Sequence, residues 1–413
     1  MKQATLLFLS ILLLPASTAW AQSPCIAIVG AKVSLPDGVE KVTTVTLKGD
    51  KVASVGGTAS KDCEQIDGKG KVLTPGLIET QSSLGLVEVS LETSSVDTSL
   101  TAREEPRPTR ASFRVFEGYN PNSSLIGIAR RHGITSSVIL PRNGAISGQA
   151  AWVDLQGRTQ AEAVRSESVA MIAHIGQGAA SRASSLHRLR TLFEEAKSFM
   201  KVEKDWGKNR TRPFKQVDEL RALALVLSGE LPLVVTAHRA SDIERAVALA
   251  EEFTLRLILS GGAEAWKMKE LLARKKVPVI VDPESNGSGS FDQIYGRANN
   301  AAILDAAGVP LIISSFSTHN ARKLAQMAGT SVREGLSHGA ALKAITQTPA
   351  EVFKLDGIGV IKPGATANVV LWSSDPLELN SAPTHLWIHG KAQSLSSRQT
   401  ELRDRYMTLP GAP

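Results

Sequence analysis

From Ile26 to about Thr74 the chain alternates. "IAIVGAKVSL", "VTTVTLKGDKVASVGG" and "QIDGKGKVLTPG" set Val, Ile and Thr against polar neighbours with a period of two, and "KGDK" reads as a tight turn. The same texture returns near the other end in "GIGVIKPGATANVVLWSSDP" and "THLWIHGKAQSL", so the two segments are expected to complete one small β-sheet domain. Between them the pattern changes to unbroken apolar runs of strand length: "GITSSVIL" (133–140), "SVAMIAHI" (168–175), "LPLVVTAH" (231–238), "LRLILSGG" (255–262), "KVPVIVDP" (276–283) and "GVPLIISS" (308–315). Stretches with apolar residues three and four apart follow, such as "SDIERAVALAEEF" and "AEAWKMKELLARK". Strands that are apolar throughout and alternate with helices belong to a parallel sheet covered on both faces. With a first strand at 73–80 and a weaker one near 151–155, the count predicts an α/β fold, a (β/α)8 TIM-like barrel.

The predicted layout is a signal peptide at 1–21, the first part of the β domain at 22–74, the barrel at 75–355, the second part of the β domain at 356–395 and a tail at 396–413. The polar segment from Ser90 to about Pro121 is expected to pass over the barrel mouth, where loops shape binding sites. Ser331 with Glu334 reads as a capping box, and Thr318 as a helix N-cap.

The first residues carry different information. Lys2, the apolar run "LLFLSILLL" from Leu6 to Leu14 and "AWA" at 19–21 form a secretory leader with cleavage expected before Gln22, its run too short to span a membrane. No later stretch approaches a transmembrane length, so a secreted, periplasmic location is expected. The chain's two cysteines, Cys25 and Cys63, then pair as a disulfide; two buried free thiols are the alternative. With 413 residues, 42% of them hydrophobic, there is ample material for a large core. The net charge of +7 comes from dispersed basic residues, which together with export argues against a nucleic-acid partner.

Five stretches, in order, resemble the amidohydrolase superfamily, in particular its imidazolonepropionase-like composite-domain branch: "GKGKVLTPGLIE", "NPNSSLIGIARRHGITSSVILPRNGAISGQAAWVDL", "TAHRASDIERAVALAEEF", "AITQTPAEVFKL" and "GVIKPGATANVVLWSSDPLE". The resemblance covers nearly all of the mature chain. It implies a metal-bearing barrel with a β-sandwich from both chain ends, and hydrolysis of amide or related C–N bonds by metal-activated water. Carried across residue by residue, the ligands are missing. The His-x-His of "PGLIDxHxH" falls on Gln81 and Ser83, although Glu79 keeps a carboxylate where the family has Asp. The ligand of the second His-x-His falls on Thr236, leaving His238; the histidine of "EHG" falls on Gly261; and the catalytic Asp falls on Phe316. "SVAMIAHI" holds no lysine for a bridging carbamate. Gln, Ser, Thr, Gly and Phe are poor zinc ligands, so no metal cofactor is expected.

What polar chemistry remains near the strand ends is His174, His238, His319, Asp282, Glu284 and the "SGQ" of 147–149, expected to shape the mouth through hydrogen bonds. His238, His174 and Glu79 are the candidate catalytic groups, each also readable as a structural residue. The residues favour an exported protein that has lost its metal site and serves as a non-catalytic binding or partner subunit. An active amidohydrolase paralogue, another copy of the chain, or a small-molecule or peptide ligand is the expected partner. The alternative is an active hydrolase of C–N bonds using a relocated site, with a divalent metal such as zinc held by Glu79, His174, His238, Asp282 and Glu284. A third reading, an envelope protein without a ligand, requires a collapsed mouth.

Overall fold

The structure is a computed structural model and describes residues 25–35, 38–99, 109–176, 181–206, 216–284 and 290–407. The expected leader at 1–21 and the end of the expected tail lie outside the described residues. Both ends of the described chain feed one sheet. Its order is Lys391–Ala392, Pro383–Ile388, Val369–Trp372, Val72–Pro75, Cys25–Ser34, Glu40–Lys48 and Lys51–Val55, with Glu64–Asp67 also beside Cys25–Ser34. The ends meet where Leu73 lies opposite Leu371 in an antiparallel pair. Alternation turns Ile26, Ile28, Val45, Leu47, Leu73, Val369, Leu371 and Trp387 into one core. The Cys25–Cys63 disulfide closes a loop with a sequence separation of 38, a constraint that contributes about 4 kcal/mol in the chain-entropy picture.

The second sheet has eight strands in sequence order: Leu77–Ser82, Ile134–Ile139, Ile146–Asp154, Val164–His174, Leu233–Ala237, Leu257–Gly261, Val279–Val281 and Leu311–Ile313. It curls as a TIM-like barrel sheet, and every expected run supplies a strand. Two expectations are corrected here. The single first strand at 73–80 is divided at Gly76, its first half lying in the other sheet and its second half starting the barrel. The weak strand near 151–155 spans Ile146–Asp154 and is antiparallel to both neighbours. Short connections serve there because antiparallel neighbours need no helical crossover.

Continuous apolar strands arise because both faces are buried. Ile78, Val138, Ala150, Ile172, Val234, Ile258, Ile280 and Ile312 pack into one interior layer, which Phe353, Leu355 and Ile358 join. Their neighbours, among them Leu77, Ile139, Met171, Val235, Leu259, Val279 and Leu311, belong to the core shared with the surrounding helices. The interior is therefore packed rather than open, and within the barrel a site can form only in the layer above it.

At the opposite end from the mouth, the fully buried Asp154 carboxylate accepts Ser136 Oγ at 2.6 Å and Arg165 Nε at 2.9 Å, and lies 2.6 Å from His389 Nε2. His389 belongs to the turn of the other sheet, so this polar cluster ties the two sheets together. Two capping expectations also change. Ser331 lies inside the helix Leu324–Arg333, bonding back to Met327 O at 3.2 Å, while Ser337 caps the next helix by accepting from Ala340 N. Thr318 caps no helix; its Oγ1 accepts the amide of Ser83 at 3.1 Å.

Candidate binding site at the barrel mouth

Two residues beyond each interior apolar side chain, the period of a strand brings the next inward-facing residue to the mouth. Val138 leads to Leu140, Ile172 to His174, Val234 to Thr236, Ile258 to Ser260 and Ile280 to Asp282, and all five line a cavity of about 300 Å³. His174, Thr236 and Ser260 stand side by side on adjacent strands. Gln81 reaches them from the first strand, its Oε1 accepting Ser260 Oγ at 3.1 Å. His238, Gly261 and Phe316 complete the part of the lining that the sequence singled out.

Glu79 is placed elsewhere. The ladder between Leu77–Ser82 and its neighbour shifts register between Glu79 and Ser82, which releases backbone amides. The fully buried carboxylate collects them: Oε1 accepts Thr80 N and Gln81 N, both at 2.9 Å. Ser314 Oγ also donates to it, and Ser315 N donates to Oε2 at 3.1 Å. The carboxylate thus clamps the first barrel strand to the segment after the last. Burial pushes its pKa up, and these hydrogen bonds hold part of that rise back.

Ser83 is buried just behind the lining, accepting Arg142 Nε at 3.2 Å and donating to Leu140 O at 3.4 Å. Gly261 has φ of +92°, and a Cβ built on it would stand 2.5 Å from His238 Cε1 and 3.0 Å from both ring nitrogens. The His238 imidazole therefore fills the space a side chain at 261 would need. Phe316 has φ of +51°, a left-handed conformation that Asp and Asn adopt far more readily than a bulky aromatic.

The remaining candidates do not converge. Asp282 turns Oδ1 back to the amide of Glu284 at 2.9 Å, Glu284 is exposed and 3.8 Å from Lys323, and His319 Nε2 lies 3.1 Å from Glu88 O. Among the described residues no group of three His, Cys, Asp or Glu side chains is arranged to hold a metal ion. The described end of the 90–121 excursion does reach the mouth, since Thr98 O accepts the amide of Arg142 at 2.8 Å. The "SGQ" residues support the site from behind: Ser147 Oγ is 2.9 Å from His174 Nε2, and Gln149 Nε2 donates to Ala111 O at 3.0 Å.

Among the described residues, four buried polar atoms at this mouth have no protein partner: Gln81 Nε2, His174 Nδ1, His238 Nδ1 and Asn300 Oδ1. Orphaned buried groups are uncommon and mark places where water or a ligand completes the bonding. Sequence reasoning missed Asn300, Arg142 and Arg297, which also line the cavity. Arg142 follows its strand end by three residues and was within reach of the alternation argument; Arg297 and Asn300 come from a loop and a helix start, respectively, with no periodic signal.

Burial is the main cause that pushes the His174 pKa down to about 4, with the Arg142 charge adding to it. His238 shifts the same way by burial, against the pull of Asp292 and Asp242. Both imidazoles are neutral near pH 7. A folded-state pKa below the unfolded value means that the unfolded chain takes up a proton first as pH falls. Stability tied to His174 is therefore complete above about pH 6.5 and is lost progressively towards about pH 4, by up to roughly 3 kcal/mol. Urea unfolding at pH 7 and pH 4.5 should show a smaller acid loss in His174→Gln than in the parent; equal losses would contradict this reading of the ring.

Comparison with known proteins agrees with this fold. Residues 308–392 match the amidohydrolase family. The crystal structure of an amidohydrolase from Thermotoga maritima MSB8 superposes with a TM-score of 0.81 at 26% identity, covering 89% of this chain and 99% of that one. The chain has an amidohydrolase fold. The amidohydrolase tasK of Hapsidospora irregularis is 24% identical over 389 residues, which cover 84% of this chain and 39% of that protein. The chain thus spans about two fifths of the length of that curated relative. An adenosine deaminase from Xanthomonas campestris, solved with bound zinc, shares the fold with a TM-score of 0.55 at 19% identity, over 94% of this chain and 100% of that one. Among the described residues of this amidohydrolase fold, no helix is long and apolar enough to cross a membrane.

Proposed function

We propose that this protein is an exported amidohydrolase homologue whose barrel mouth binds a small polar molecule without a catalytic metal, acting as a binding or partner subunit. The observation that carries the reading is the His238 ring lying against Gly261, in the space that a ligand histidine at 261 would occupy. The donor set does not fit a bound metal in other respects. Glu79 has its oxygens engaged by hydroxyl and amide donors, and Gln81, Ser83 and Thr236 offer neutral oxygen or amide groups where the family has imidazoles.

The four unpartnered polar atoms support a binding role, and the open cavity of about 300 Å³ argues against an envelope protein without a ligand. Export is supported by the leader pattern at 1–21 and by the Cys25–Cys63 disulfide, a bond that persists in oxidising compartments. Elemental analysis of the purified mature protein is the test: zinc, manganese, iron and nickel are each expected well below one per chain. Stoichiometric, tightly held metal would defeat the reading.

One observation favours a second reading, a metal-independent hydrolase. His174 and His238 are neutral imidazoles on one cavity, each with a ring nitrogen able to take a proton. Amide hydrolysis that survives chelator and disappears in His238→Ala with the fold intact would establish it.

A further inference from the structure

The rim of the mouth carries four arginines whose situations differ. Arg182 pairs with Asp242 at 2.8 Å and also with Asp292, and Arg239 pairs with Asp292 at 2.8 Å. These two pin the 290–297 segment over the barrel. Arg142 and Arg297 line the cavity itself, and among the described residues neither has a carboxylate within ion-pair distance. Both heads are held in place. Arg142 donates Nε to Ser83 Oγ at 3.2 Å, and the Arg297 guanidinium lies 4.8 Å above the centre of the Trp266 ring. A guanidinium fixed through one nitrogen or by stacking keeps its other N–H groups in a fork that matches a carboxylate.

We propose that the mouth binds a small organic carboxylate, with Arg142 and Arg297 meeting its charge and Gln81, His238 and Asn300 meeting its uncharged polar part. The inference deepens the binding role proposed above and rests on the mouth being a binding site. Asp282 is the carboxylate that shares this lining, one negative charge against two guanidinium groups, so the lining as a whole is cationic. Gln81, only 7% exposed, presents an unused donor at Nε2, and Asn300, 8% exposed, presents an unused acceptor at Oδ1. A ligand with a carboxylate at one end and neutral donors and acceptors at the other would find partners at Gln81 Nε2, His238 Nδ1 and Asn300 Oδ1. The Arg142 head faces water from inside a concave mouth, and loss of part of its hydration presses its pKa down. An incoming anion would restore that lost stabilisation.

The experiment compares N-acetylglycine with N-acetylglycinamide, which differ in charge and hardly in size, by titration calorimetry and thermal shift on the mature protein. N-acetylglycine should bind about tenfold or more tightly than the amide. Arg297→Gln and Arg142→Gln should each remove most of this preference with the melting temperature of the free protein little changed. Equal binding of the two probes, no binding of either, or a preference that survives both substitutions would overturn the proposal. Metal analysis separates the two readings: metal-loaded protein that prefers the acid through these arginines defeats the metal-free reading alone. Metal-free protein indifferent to the acid defeats this inference alone.

Discussion

Glu79→Ala should lower the free energy of unfolding by about 3–5 kcal/mol, measured by urea denaturation at pH 7. The carboxylate is fully buried, and its removal strands the hydroxyl of Ser314 and the amides of Thr80, Gln81 and Ser315. Burying the charge is itself costly, which is why the pKa is raised, so the loss comes from the orphaned donors rather than from a strongly favourable ion. Glu79→Gln keeps one acceptor oxygen and should cost about half as much. If the alanine variant were as stable as the parent, Glu79 would not be the seam of the barrel, and a role facing the cavity would regain interest.

The second large effect is expected at Gly261. Gly261→His restores the residue type that the family resemblance places there, and it should cost about 3 kcal/mol rather than rebuild a site. Its φ of +92° is available to glycine and strained for any side chain, and the new Cβ would meet the His238 ring at 2.5 Å. Gly261→His combined with His238→Ala should recover about 1 kcal/mol or more, because the collision is removed while the backbone strain stays. Strict additivity of the two changes would show that the ring does not occupy that space.

The barrel strands were legible because each buries both faces. Ile172 points inward and Met171 outward, and both must be apolar, so the run is continuous and its length marks a strand. The same parity carried one layer further places His174, Thr236 and Ser260 at the mouth. The antiparallel strand Ile146–Asp154 was only half visible, since "ISGQ" is small and polar and Gly148 adopts φ of +127°, features that read as a loop. Glu79 was legible as an unusual carboxylate but not as a clamp, because its donors at 314 and 315 are distant in sequence and the register shift beside it has no sequence mark. Ser331 followed the spacing of a capping box while sitting inside a helix, as local motifs do when a longer element claims them.

Absence of a metal centre at the mouth is tested most directly by diffraction. Crystals grown with zinc in the solution and measured on both sides of the zinc absorption edge should give no anomalous peak between Gln81, His174, Thr236 and His238. A strong peak there, within coordinating distance of either imidazole, would contradict the metal-free reading and return a metal-dependent hydrolase.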